Sequence, residues 1–94
     1  MAEFLVRIVL TRPSALDDDA WTSLLAAERE VGLGYRRRGV VQRIWRLPGT
    51  TSNVGIWSAP DASDLDRLLA GLPAFRYMSI EVEALALHYL EATE

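Results

Sequence analysis

The chain predicts an α+β domain of the ferredoxin-like kind, with the order β-α-β-β-α-β, an antiparallel sheet and, through a second copy, a dimeric α+β barrel. Three patterns predict it. Phe4, Val6, Ile8 and Leu10 alternate with Leu5, Arg7, Val9 and Thr11, the period of a strand with one apolar face. Trp21, Leu24, Val31 and Tyr35 recur at helical steps of three and four. Pro48-Gly49-Thr50-Thr51 divides two short apolar runs, as the turn of a hairpin does.

The elements follow in order. Pro13-Ser14 breaks the first strand, and Asp17-Asp18-Asp19 supplies an N-cap with negative charge where a helix dipole favours it. The spacing predicts a helix from Asp18 to Arg37. Arg36-Arg37-Arg38 then brings positive charge to the helix end, and Gly39 is a natural stop. Val40 to Leu47 and Asn53 to Ser58 read as the hairpin strands. Ser63, with Asp66 three residues on, reads as the cap of a second helix ending between Leu69 and Gly71. Pro73 prevents that helix from continuing. An aromatic turn around Phe75 and Tyr77 follows, and Ile80 to Leu87 alternates as a fourth strand. The whole chain, 1–94, reads as one domain, with 84–94 an arm reaching a neighbouring subunit.

Four strands with two helices on one face leave the other face bare. Val9, Trp45 and Trp57 are assigned to it, too apolar to leave wet, and a second copy of the sheet is the simplest cover. A homodimer, or a larger ring of such dimers, is the expected assembly. Self-association also suits a chain of 94 residues, which buries only roughly two-thirds of its unfolded surface.

Composition narrows the chemistry. There is no cysteine and one histidine, His88, so no thiolate nucleophile or Cys/His metal centre is expected. All ten basic residues are arginine, which removes Schiff-base chemistry on lysine. No Gly-rich phosphate loop is present, and the expected cofactor content is none. A net charge of −3 with one short basic cluster gives no footprint for nucleic acid. No apolar run nears the roughly 20 residues that span a bilayer, and no leader pattern opens the chain. The expectation is a cytoplasmic protein that acts on a small molecule.

Glu28 stands out among the candidate site residues. Steps of three and four from Trp21 pass through Leu24 to Glu28 and on to Val31 and Tyr35, so a carboxylate interrupts the sheet-facing stripe. Two readings stay open. Unpaired burial would raise its pKa and suit it to proton transfer, whereas pairing with Arg43 or Arg46 would make it structural. Arg46, after Trp45 in a mostly apolar strand, suits a substrate carboxylate or Glu28, or reaches out to water. Asn53 opens a strand after a turn, where asparagine is common, yet its amide can also serve a developing enolate. Phe75 and Tyr77 fall where a helix meets a sheet edge, a common place for a pocket.

Leu72-Pro73-Ala74-Phe75-Arg76-Tyr77-Met78-Ser79-Ile80-Glu81-Val82 closely resembles a segment of the muconolactone Δ-isomerase family. Trp45-Arg46, Gly49, Asn53 and the Glu28-x-Glu30 pair fall at that family's spacing, and the match runs without a gap from Leu24 to Glu83. The resemblance implies a cofactor-free isomerase that moves a proton on a small carboxylated lactone and so shifts a ring double bond. It assigns Glu28 as base, Asn53 as enolate stabiliser and Arg46 as carboxylate anchor, with Tyr77, Trp45 and Phe75 lining the pocket. Two positions depart from the pattern: Leu25 replaces a lysine and Thr50 a histidine. Both remain pocket candidates, and the loss of a cation points to a larger or less anionic substrate. A natural-product tailoring cyclase or isomerase on the same fold is the alternative, and a non-catalytic dimeric ligand-binding module is the second.

Overall fold

A computed structural model describes residues 1–92. Its elements are β1 (Ala2–Leu10), α1 (Asp18–Arg37), β2 (Val41–Arg46), β3 (Asn53–Ala59), α2 (Ala62–Ala70), β4 (Met78–Leu85) and the short α3 (Tyr89–Ala92). The four strands form one antiparallel sheet in the order β2-β3-β1-β4. Among the described residues this is an α+β fold with three helices. Among the described residues, no helix is long and apolar enough to cross a membrane.

Asp17 caps α1 by accepting the Ala20 N–H at 2.8 Å. The helix ends at Arg38, after which Gly39 takes φ +78°, a left-handed conformation that costs glycine nothing. In α2 the cap is Asp61 rather than Ser63: the Asp61 carboxylate accepts the Asp64 N–H at 2.8 Å, and the helix begins at Ala62. Asp61 directly follows the β3–Pro60 exit, so the earlier of two good capping residues takes the role. The fourth strand likewise starts sooner than its alternation suggested, at Met78, directly after the single 3₁₀ turn Phe75–Tyr77.

The core lies between the sheet and the helices. Phe4, Val6 and Ile8 of β1, Trp57 and Ala59 of β3, Tyr35 of α1, and Leu65 and Leu69 of α2 are buried in one cluster. The β1–β3 register pairs Phe4 with Trp57 and Ile8 with Asn53. Trp57 therefore belongs to the helix-covered face with Asn53, and not to the open face expected for it. Residues 53 and 57 have the same parity along the strand and cannot face opposite ways.

β2 carries an irregularity between Val41 and Arg43. In an unbroken strand Val41 and Trp45 would share a face. The extra residue, Gln42, turns Trp45 outward and brings Ile44 and Arg46 onto the face of Gly55 and Asn53. Arg36 donates to the carbonyls of Val41 and Gln42, at 3.2 and 2.5 Å, and satisfies the backbone where the ladder is interrupted. The face away from the helices holds Leu5, Val9, Trp45, Val54 and Ile56 among charged neighbours, and Val9 and Trp45 are 38% and 45% exposed.

Beyond β4 the chain leaves the body of the domain. Leu87, Tyr89 and Leu90 are 76%, 72% and 66% exposed. The radius of gyration is 14.7 Å. A compact chain of this length would have about 12 Å. Residues 93 and 94 of the expected arm lie outside the described residues.

Candidate active site

A cleft of about 330 Å³ opens between α1 and the sheet. α1 lines it with Glu28, Arg29, Gly32, Leu33 and Arg36, residues that recur every three to four positions along one flank. The sheet supplies Ile8, Ile44, Asn53 and Trp57, and Leu72 and Met78 close the end near the 3₁₀ turn. The walls are thus mostly apolar with a few polar groups, the usual make-up of a small-molecule site. Gly32 contributes to the volume, because a Cβ there would meet nothing within 4 Å.

Glu28 is half-buried at this cleft. Its Oε1 accepts the backbone N–H of Ala74 at 2.9 Å, and neither Arg43 nor Arg46 forms an ion pair with it. Burial pushes the carboxyl pKa above its ordinary 4.5, and the Ala74 N–H offsets part of that rise by stabilising the charged form. The Leu-Pro-Ala-Phe turn has a definite role here. Its bonds from Phe75 N–H to Leu72 O at 3.0 Å and from Tyr77 N–H to Ala74 O at 2.9 Å fold the backbone so that the Ala74 N–H is left for Glu28.

Two buried side-chain atoms lack hydrogen-bond partners among the described residues, Asn53 Oδ1 and Trp57 Nε1. Both belong to residues that line the cleft. Trp57 is 2% exposed, and its ring is held edge-to-face by Tyr35, at 5.8 Å between centroids and 75° between planes. Tyr35 donates in turn to Leu68 O at 2.6 Å, and burial raises its phenol pKa. Among the described residues, no three His, Cys, Asp or Glu side chains converge to hold a metal.

Glu28 and Asn53 are the two predicted residues that the fold brings to this cleft. Arg46 sits in register with Asn53 on the same sheet face, exposed and outside the lining. Trp45 lies on the opposite face, with the Arg43 guanidinium 4.9 Å from its ring centroid. Thr50 is in the hairpin turn, where its Oγ1 donates to Leu47 O at 2.8 Å and accepts the Ser52 N–H at 3.0 Å. Tyr77 meets Trp21 edge-to-face at 6.3 Å, while Leu25 and Phe75 are exposed on the surface. Arg29, Gly32 and Arg36 were absent from the sequence-based site, although steps of four from Glu28 reach Gly32 and Arg36. Trp57 was expected on the open sheet face, and its parity with Asn53 is the signal that sets it here instead.

The family model for muconolactone Δ-isomerase matches residues 2–91. The chain belongs to the muconolactone Δ-isomerase family. It is 35% identical over 88 residues to the muconolactone Δ-isomerase of Rhodococcus opacus, covering 94% of this chain and 95% of that one. Against the enzyme of the same name from Acinetobacter baylyi it is 33% identical over 85 residues, covering 90% and 88% of the two chains. A crystal structure of muconolactone isomerase superposes with a TM-score of 0.85 at 32% identity, over 92% of this chain and 90% of that one. These muconolactone isomerase relatives match nearly end to end, so the α1–sheet cleft falls within the shared part of the fold.

Proposed function

We propose that this chain is an isomerase that shifts a double bond in a small carboxylated lactone by proton transfer, using its own side chains. The observation that carries the reading is Glu28: a carboxylate in a mostly apolar cleft, held by one backbone N–H, unpaired with any arginine, and raised in pKa by burial. Such a group is a suitable base near neutral pH. It takes a proton from a ring carbon conjugated with the lactone carbonyl. The C–H electron pair enters the conjugated system and places negative charge on the carbonyl oxygen. The Glu28 carboxyl, whose proton exchanges with solvent, delivers a proton to a different ring carbon, the charge leaves the oxygen, and the double bond has moved with no change in composition.

The Asn53 amide is the polar partner on the sheet side of this reaction. Arg29 lines the cleft and makes no ion pair among the described residues, which fits it to hold the substrate carboxylate, and Arg46 extends the positive charge from the strand beside Asn53. Arg36 is committed to backbone carbonyls and serves the wall. The test is incubation with muconolactone in D₂O, followed by NMR. The expected result is a shifted ring double bond with deuterium at the carbon that receives the proton. No conversion above the buffer rate would end this reading.

The same reading includes the assembly. Two ferredoxin-like domains pack their open sheet faces together as a dimeric α+β barrel, and the arm from residue 84 onward lies on a neighbouring copy. The apolar residues left on that face and the exposed Leu87, Tyr89 and Leu90 support it. Leu25, Trp45, Thr50, Phe75 and Tyr77, set outside the cleft of one chain, would reach a ligand only from such a neighbour or after the cleft closes. Light scattering at micromolar concentration should give at least twice the monomer mass, and a monomer there would refute the arrangement.

A further inference from the structure

We infer that the cleft contains an apolar subsite beside the reacting ring, lined by Gly32, Leu33, Val41 and Ile44, and that its substrate is a carboxylated lactone bearing a hydrocarbon substituent. The inference rests on the isomerase reading and names the substrate class for it. The helix wall of the cleft runs from Glu28 to Arg36, about 12 Å at the helical rise, and the sheet wall from Asn53 to Trp57, about 13 Å along the strand. A five-membered ring built of bonds of about 1.5 Å covers only part of either wall. The volume of about 330 Å³ is likewise one that holds larger ligands than a single small ring.

The polar groups gather at one end of this length. Glu28 is tied to Ala74 in the turn before Met78, and Asn53 pairs with Ile8, in the strand row next to the Leu10–Met78 pair. Arg29 follows Glu28 on the helix. The other end is marked by Arg36, whose Nη1 is bonded to Val41 O and Gln42 O, and by the Val41–Trp57 pair. Between these ends the walls are hydrocarbon. Leu33 on the helix and Ile44 on the sheet are 38% and 46% exposed, apolar surface that a substituent on the ring would take out of water. Gly32 adds room there, since a Cβ on it would meet nothing within 4 Å. A ring held by Glu28, Asn53 and Arg29 therefore has space for a short alkyl chain directed toward Leu33 and Ile44. The chain belongs on the ring carbon that neither loses nor gains a proton, where it leaves the double-bond shift unaltered.

The test compares muconolactone with its analogue carrying a propyl chain on that carbon. We expect kcat/KM for the propyl lactone to be higher on the order of tenfold, mainly through KM. Gly32→Leu, which fills the subsite, should bring the two lactones within a few-fold of each other, and Gly34→Ala should keep the preference. Ile44→Thr, at an exposed strand position, should also reduce it. A propyl lactone turned over no better than muconolactone would overturn the inference, and so would a preference that survives both Gly32→Leu and Ile44→Thr. Binding of the saturated counterparts, which have no double bond to move, separates the subsite from the reaction. Tighter binding of the propyl compound, with methyl shifts at Leu33, Val41 and Ile44, would uphold the subsite even if neither lactone were converted and the isomerase reading fell. Equal binding with those methyl groups unmoved would overturn the subsite even if muconolactone were converted.

Discussion

Glu28 and Ala74 are 46 residues apart in the chain, yet the Ala74 N–H donates to Glu28 Oε1 at 2.9 Å. The bond ties the middle of α1 to the turn that precedes β4, and it occupies one oxygen of the carboxylate. A Glu28→Gln variant keeps a side-chain oxygen for Ala74 and loses the basic group. It should fold normally, melt at the same temperature or higher because a desolvated charge is gone, and lose about 10²–10⁴-fold in turnover. Turnover on muconolactone and a melting curve check it. A destabilised variant with full turnover would show the carboxylate to be structural.

The raised pKa of Glu28 has a definite sign in stability. Burial lifts the folded value above 4.5, and the Ala74 bond only partly opposes that. The folded state then holds the proton more tightly than the unfolded chain does. The stabilisation is fully present below 4.5 and is lost as pH rises through the folded value. Melting temperatures of the wild type and Glu28→Gln, measured from pH 4 to 8, should therefore diverge on acidification in favour of the wild type. The kcat/KM profile should show an acid limb with its midpoint above 4.5. A midpoint below that value would contradict an unpaired, desolvated base.

Much of this arrangement was legible in the sequence because it depends on local periodicity. The strand of Phe4, Val6 and Ile8, the long helix and the intruding Glu28 all follow from spacings of two, three and four. The rest depends on contacts that no spacing displays. The extra residue at Gln42 reverses which side chains of β2 face the core, and it is recognisable only once Val41 and Arg43 are paired with β3. Asp61, Ser63 and Asp64 are all good caps, and the end of β3 decides among them. Arg36 reads only as charge at a helix end until the sheet is placed beside that helix flank. Trp57 shows a different failure: parity with Asn53 was available, but the need to cover an open face drew it to the wrong side.

Gly32 and Gly34 separate helix stability from cleft volume. Both lie inside α1, and a Cβ at either meets nothing within 4 Å, but only Gly32 lines the cleft. Alanine at either position should stabilise the fold by about 0.5–1 kcal/mol, the usual gain over glycine within a helix. Gly34→Ala should leave turnover untouched. Gly32→Leu should fold as well but occupy the substrate's space, raising KM on the order of tenfold or more. Urea denaturation with steady-state kinetics on the three variants checks this. Equal kinetics in Gly32→Leu and Gly34→Ala would move the substrate out of this cleft.

Gly71 and Tyr35 test the clamp behind Trp57. Gly71 ends α2 with φ −77°, a conformation open to any residue, so its constraint is one of space. A Cβ there would lie 2.8 Å from Tyr35 Oη, which is itself fixed by its 2.6 Å bond to Leu68 O. The tyrosine cannot yield without losing that bond or shifting its ring against Trp57. Gly71→Ala should therefore cost about 1–3 kcal/mol, as overpacking does. Tyr35→Phe should cost about 1 kcal/mol, since Leu68 O retains the Gly71 N–H at 3.2 Å and only one neutral hydrogen bond is lost. In the double variant the missing hydroxyl makes room for the methyl group, so the combined loss should fall below the sum of the two by about 1 kcal/mol or more. Urea unfolding of the four proteins measures that coupling. Simple additivity would mean that the hydroxyl moves aside freely and that the edge-to-face contact does not fix the indole of Trp57.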